Sequence, residues 1–251
     1  MAGRRAPLTV VIPVLDEGPQ IAECVRHLDW VDEVIVADGG SRDGTVAAAR
    51  EAGATVLEGT GPTIAAQRNA AIARARNPWV FALDADERIT EPLAREIRQV
   101  VAAPQRAAYQ VRRQNFYLGR ELTRGRWGKD WVTRLFTRDR RYVERRVHES
   151  LEPVPDPGRL QGRLRHVPYR DLTEQIEKMN RYARWGAEDL FDRGVRAGAW
   201  DICARPLSRF LRAYLVQGGI LDGRFGLVSS VLGGWTAFLK YAHLWALERQ
   251  R

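Results

Sequence analysis

The apolar positions of the first hundred residues keep two alternating rhythms. Leu8-Thr9-Val10-Val11-Ile12-Pro13-Val14 is a β-branched run, and Glu33-Val34-Ile35-Val36-Ala37-Asp38, Thr55-Val56-Leu57-Glu58 and Trp79-Val80-Phe81-Ala82-Leu83 are three more. Between them, the stretches from Gln20 to Leu28, Thr45 to Ala52 and Thr63 to Arg76 carry helical spacing, and Asn77-Pro78 ends the last of these. This β-α-β-α order predicts an α/β fold, a mostly parallel sheet with helices on both faces. Ligands of such sheets sit beyond the carboxyl ends of the strands, where Asp38 and Asp84 stand.

After a helix near Glu91 to Val101 the pattern changes. Tyr109 to Phe116 and Val132 to Thr137 alternate like half-exposed strands around a loop, Gly119 to Trp131, rich in Gly, Arg and Trp. Pro153 to Gly158 reads as a linker, and Gly162 to Tyr169 as one more strand. From Asp171 the spacing is helical: Leu172 to Arg193 is long and polar, and Pro206 to Gln217 sets Leu207, Phe210, Leu211, Tyr214 and Leu215 against Arg209 and Arg212. Phe225 to Leu239 is uncharged but holds Gly226, Gly233 and Gly234, and Lys240 and His243 follow it. A spanning helix needs about 17–25 mostly apolar residues, so a membrane span is not predicted. The helices either lie on anionic lipid, pack on the sheet domain or form a dimer. The domains expected are 1–170, divided into halves 1–101 and 102–170, and a helical region 171–251.

Charge narrows the chemistry. The net charge is +9, and lysine occurs only at Lys129, Lys178 and Lys240, so the basic side is almost all arginine. Arg suits phosphate through its planar fork. No zinc spacing or RNP-like aromatic signature points to nucleic acid. Cys24 and Cys203 form no disulfide framework, so a reducing compartment is expected. The stretch Met1 to Pro7 lacks the features of a signal peptide.

Asp84-Ala85-Asp86-Glu87 follows the fourth strand. If extension persists, Asp84 and Asp86 project the same way, and two like charges so placed need a cation or several donors. A hard divalent ion carrying a diphosphate supplies both. On this reading Asp86 is a direct metal ligand, Asp84 partners the ribose or a metal-bound water, and Glu87 orients them. The Asp-x-Asp also bears a superficial likeness to the nucleophile pair of haloacid-dehalogenase-like phosphatases. That pair follows the first strand of its domain, which disfavours a phosphotransferase using Asp84. A non-catalytic nucleotide-sugar-binding subunit of a membrane complex is the other alternative.

Four motifs occur in order: Val11-Ile12-Pro13-Val14-Leu15-Asp16-Glu17, Asp38-Gly39-Gly40-Ser41-Arg42-Asp43-Gly44-Thr45, Gln67-Arg68-Asn69-Ala70-Ala71 and Asp84-Ala85-Asp86-Glu87. Together they resemble family 2 glycosyltransferases, inverting enzymes of the GT-A fold. Arg146-Val147-His148-Glu149-Ser150-Leu151 and Gly219-Ile220-Leu221-Asp222-Gly223-Arg224-Phe225-Gly226-Leu227 resemble the lipopolysaccharide-core glucosyltransferase-like branch. The resemblance implies that 1–101 is the nucleotide-sugar-binding half and 102–170 the acceptor-side half, that Pro13, Leu15, Glu17 and Asp38 hold the nucleoside, that Arg68 approaches the diphosphate, and that Asp84 and Asp86 form the metal-binding pair. Many members of the wider family carry a Glu-Asp pair as base; here His148-Glu149 takes that place. Glu149 is the expected base, with His148 its neighbour or alternative. The implied cofactor is Mg²⁺ or Mn²⁺, the donor a nucleoside-diphosphate sugar of the UDP type, and the acceptor a glycan or lipid-linked saccharide faced by Arg124 to Trp131. The implied place is the cytoplasm, at the inner face of a bacterial inner membrane. Further partners expected are an anionic membrane surface and a second copy of the chain, and not nucleic acid.

Overall fold

The computed structural model describes residues 5–124, 127–128, 130–143 and 150–249. They form two compact units, Met1–Arg113 with Trp131–His166, and Gln114–Asp130 with Val167–Arg251. The expected acceptor-side half, 102–170, is therefore divided, because its central loop packs with the helices.

The first unit opens with β1 (Ala6–Val14), α1 (Gly18–Arg26), β2 (Val31–Asp38), α2 (Thr45–Glu51), β3 (Thr55–Leu57), α3 (Ile64–Arg74) and β4 (Trp79–Ala82). These strands lie parallel in the order β3-β2-β1-β4, as the rhythm predicts. Their continuous apolar runs follow from burial on both faces: Leu8, Val10 and Ile12 pack on one side, Val11, Ile35 and Val80 on the other. Pro13 is tolerated in this central strand for a geometric reason. Val14 accepts from the Gly39 amide, on the β2 side, so Pro13 faces β4, whose registered pairing ends at Val11 and Ala82.

Next come β5 (Glu87–Ile89), α4 (Glu91–Ala102) and β6 (Ala108–Tyr117), whose last four residues belong to the second unit. β7 (Arg120–Glu121) pairs with β6. β8 (Trp131–Thr137) runs antiparallel beside β4 and β6, and β11 (Gly158–His166) runs antiparallel to β5. The sheet is thus mixed, parallel in its first half. β9 (Tyr142–Val143) and β10 (Ser150–Leu151) form a separate hairpin.

The second unit holds α5 (Leu172–Asp192), α6 (Ala199–Leu211) and α7 (Gly223–Arg249). Asp171 caps α5 by accepting from the Glu174 amide at 2.9 Å. α6 starts before the predicted Pro206 and passes through it, then widens into a π-helical turn, Arg212–Val216. The Gly219 to Leu227 motif is a packing joint. A Cβ on Gly226 would lie 1.9 Å from the Gly219 carbonyl oxygen, and buried Asp222 accepts from the Arg124 amide at 3.1 Å. Trp127, expected to face an acceptor, is buried in this unit and donates from its indole N–H to Ser229 Oγ at 2.8 Å. Among the described residues no helix is long and apolar enough to cross a membrane.

Candidate active site

The site is built at the carboxyl ends of β1, β2 and β4. The exits of β1 and β2 are knitted together. Asp16, at φ 57°, donates its amide to Ser41 Oγ at 2.9 Å and accepts from the Arg42 amide at 2.8 Å. The Glu17 amide donates to Thr45 Oγ1 at 2.9 Å, and Gly18 to Asp43 at 3.1 Å. Although slight burial opposes it, the Thr45 and Gly18 donors hold the Asp43 carboxyl below its usual range. Asp38 is buried, and its carboxylate accepts from the Gly40 and Ser41 amides in its own turn. Pro13 is buried, Leu15 is exposed and Glu17 half-buried.

Each residue of Gln67-Arg68-Asn69 anchors a different loop. Gln67 donates to the Gly61 carbonyl at 3.2 Å and lies so near Gly39 that a Cβ there would stand 2.2 Å from its Nε2. Asn69 grips the Tyr142 backbone at 2.9 and 2.8 Å, fixing β9, which leads toward residues 144–149. Arg68 is buried, lies 4.7 Å over the Tyr142 ring and donates to Asp84 Oδ1 at 2.5 Å. That carboxylate is its partner here; a diphosphate is the partner the resemblance implies.

Asp84 to Glu87 is a turn rather than an extension. The Glu87 amide donates to the Asp84 carbonyl at 3.0 Å, and the Asp84 amide to Glu87 Oε2 at 3.1 Å. Arg88 ties the loop to α1 through the Ala85 and Glu87 carbonyls, at 2.7 and 2.8 Å, and Glu23 at 3.2 Å. Cys24 lies beneath; burial pushes its thiol up to about 12, so it is an inert packing group.

The two aspartates end in different surroundings. Asp84 Oδ2 accepts from Arg134 at 2.6 Å, so each of its oxygens meets a guanidinium. Burial alone would raise its pKa, but Arg134 and Arg68 hold the carboxyl well below the usual range. Glu87, fully buried, accepts from the same Arg134 nitrogen at 2.6 Å and pairs with Arg113 at 3.5 Å. Burial prevails there and keeps its pKa above the ordinary carboxylate value. Asp86 has a neighbour of another kind, His166 Nε2, 3.6 Å from its Oδ2. Among the described residues its Oδ1 is buried with no hydrogen-bond partner. An orphaned carboxylate oxygen beside an imidazole suits a divalent cation of the Mn²⁺ class. Among the described residues no three carboxylate, imidazole or thiol groups converge as a complete cage. Substrate oxygens and water are common further ligands of such an ion.

A family model, that of glycosyl transferase family 2, matches residues 9–154, which takes in both knitted loops together with Asp38, Asp84, Asp86 and Glu87. The chain belongs to glycosyl transferase family 2. This glycosyltransferase is 28% identical to the lipopolysaccharide core biosynthesis glycosyltransferase LpsC of Rhizobium meliloti over 96% of its own length and 93% of that protein's. It is 26% identical to the uncharacterized glycosyltransferase RP128 of Rickettsia prowazekii, over 94% of this chain and 86% of that one. The solved glucosyl-3-phosphoglycerate synthase of Mycobacterium tuberculosis, in complex with Mn²⁺, UDP and phosphoglyceric acid, is 24% identical at a TM-score of 0.37, over 45% of this chain and 44% of that one.

The expected base, Glu149, and its neighbour His148 lie outside the described residues. Arg134, Arg113 and His166 were not foreseen. A signal existed for Arg134, since an arginine inside Val132-Thr133-Arg134-Leu135-Phe136 has to find a carboxylate if that strand is buried.

Proposed function

We propose that this enzyme moves a sugar from a nucleoside-diphosphate sugar, of the UDP type, to a hydroxyl of a lipid-linked core saccharide, with inversion at the anomeric carbon. The observation that carries the reading is the split of the Asp-x-Asp into one arginine-bound acid and one orphaned acid. Asp86 and His166 are the residues assigned to a Mg²⁺ or Mn²⁺ ion. Asp84 is not, because a cation placed on it would stand against two guanidinium groups. A divalent ion, when bound there, supplies Lewis-acid stabilisation of the charge on the departing diphosphate.

The chain's own residues then have separate tasks. Asp84, fixed by Arg68 and Arg134, presets the loop that presents Asp86. The knitted exits of β1 and β2 preset a nucleoside pocket around Pro13, Leu15, Glu17 and Asp38. Asn69 holds β9 at the start of the segment that carries Glu149. In our assignment the Glu149 carboxylate takes the proton of the acceptor hydroxyl as that oxygen bonds to the sugar C1. The C1–phosphate bond breaks on the opposite face, so one base suffices and no glycosyl-enzyme forms. A lipid-linked acceptor would bring the enzyme to the cytoplasmic face of a membrane.

The test is a nucleotide-sugar panel read twice, by thermal shift with Mn²⁺ and by transfer to delipidated and intact core acceptors. Glu149→Gln should keep the nucleotide shift and lose transfer by at least ~10²-fold. Undiminished transfer in that variant would remove Glu149 from the role. Absence of any nucleotide shift would remove the reading itself.

A further inference from the structure

The second unit carries an apolar stripe that faces outward. On α6 and the turn after it, Trp200, Leu207, Leu211 and Leu215 recur at helical spacing, 76, 57, 40 and 54% exposed, and α6 has no fully buried residue. Val216 and Leu221, in the segment that follows, are 81 and 70% exposed. The opposite side of α6 is already occupied. The Pro206 carbonyl approaches Gly234 of α7 so closely that a Cβ there would lie 2.9 Å away, and Arg205 donates to Tyr241 of α7 at 2.9 Å. The outward stripe is therefore not left over from a seam between these two helices.

The segment that carries it is positive. From Ala199 to Arg249 the cations are Arg205, Arg209, Arg212, Arg224, Lys240 and Arg249, against Asp201, Asp222 and Glu248. All three acids are committed within the unit: Asp201 to Arg205 at 2.5 Å, Asp222 to the Arg124 amide at 3.1 Å and Glu248 to the Ala197 amide at 2.7 Å. Six cations against three acids leave the segment net positive. Large apolar side chains with Trp among them, on a segment that also exposes Arg209 and Arg212, whose stems can lie along an apolar layer, match the boundary of an anionic bilayer. A second copy of the same surface would set arginines against arginines, which disfavours self-association.

We infer that the α6 stripe is a monotopic docking face that lies in the headgroup layer of an anionic membrane, with Leu207, Leu211, Leu215 and Val216 entering the acyl boundary. The inference concerns the second unit alone. A lipid-linked acceptor gives it a purpose, but vesicle binding can succeed or fail whatever the fate of the transferase reading.

The experiment is co-sedimentation of the full chain with phosphatidylcholine vesicles, with and without 30% phosphatidylglycerol, a fraction chosen at roughly the anionic content that supports surface attraction. The wild type should bind the anionic vesicles and release at high salt. Leu207→Glu/Leu211→Glu should lower the bound fraction at least ~10-fold, and Arg209→Gln/Arg212→Gln by about 5-fold for each charge removed. Both variants should melt like the wild type and keep the nucleotide-induced shift, which separates loss of docking from loss of fold or of the donor site. No sedimentation of the wild type, or sedimentation unchanged in the leucine pair, would overturn the inference. So would light scattering that shows a wild-type dimer made monomeric by Leu207→Glu/Leu211→Glu, since the face would then belong to a second copy.

Discussion

At the strand ends of the first unit, charge is taken out of water: Glu87 is fully buried, and Arg68 and Arg134 nearly so. In the helical unit the reverse holds, with Val216 and Trp200 more than three-quarters exposed. Each arrangement is costly by itself, and the remedies differ. The buried charges find one another, so Asp84, Glu87, Arg68, Arg113 and Arg134 close into a network. The exposed apolar side chains are covered by no described residue of the unit, which is why the docking face inferred above sits there. The same comparison works at a smaller scale inside the acid loop, where Asp84 is satisfied and Asp86 Oδ1 is not.

The largest effect should come from opening the network. Arg134→Met leaves two carboxylates without their shared partner and should cost about 3–5 kcal/mol in urea unfolding. A loss under about 1 kcal/mol would show that the cluster is not held as described. Next, Asp84→Asn should cost about 2 kcal/mol at pH 7, while Asp86→Asn should change stability by less than about 0.5 kcal/mol. Equal costs would erase the difference between the two acids.

The pH dependence sharpens the same contrast. The folded-state pKa of Asp84 is depressed, so its contribution is present above the ordinary value of about 4 and is lost as pH falls below it. The raised pKa of Glu87 acts in the opposite sense, favouring the fold below its ordinary value and fading as pH rises through the folded one. Acid unfolding of Asp84→Asn should therefore be shallower than that of the wild type below about pH 4. The smallest effect belongs to the helical unit: Val216→Ser should leave stability within about 0.5 kcal/mol, measured by thermal melting, because its side chain already meets solvent.

Much of this was legible before any coordinates. The strand and helix rhythm predicted β1 to β4 and α1 to α4 within a few residues, because local periodicity reports burial directly. The acids were visible because carboxylates at strand ends stand out against apolar runs. Their surroundings were not. Asp84 and Asp86 were expected to extend, but the Glu87 side chain folds back on the Asp84 amide and makes a turn. Arg134 and His166 come from strands far along the chain, so only the tertiary fold brings them to the loop. Trp127 was read as an acceptor contact for the same reason, since its partner Ser229 lies in the last helix. The Pro206 boundary failed because α6 accommodates the missing amide inside the helix.

The central claim is that the two aspartates divide the work, Asp84 building the loop and Asp86 binding the cation with His166. Mn²⁺ titration in the presence of UDP, followed by electron paramagnetic resonance of the free ion, tests it most directly. The account predicts that Asp86→Asn and His166→Gln each weaken Mn²⁺ binding at least ~10-fold, while Asp84→Asn, folded by circular dichroism, binds within a few-fold of the wild type. Loss of Mn²⁺ binding in Asp84→Asn with full binding in Asp86→Asn would contradict it.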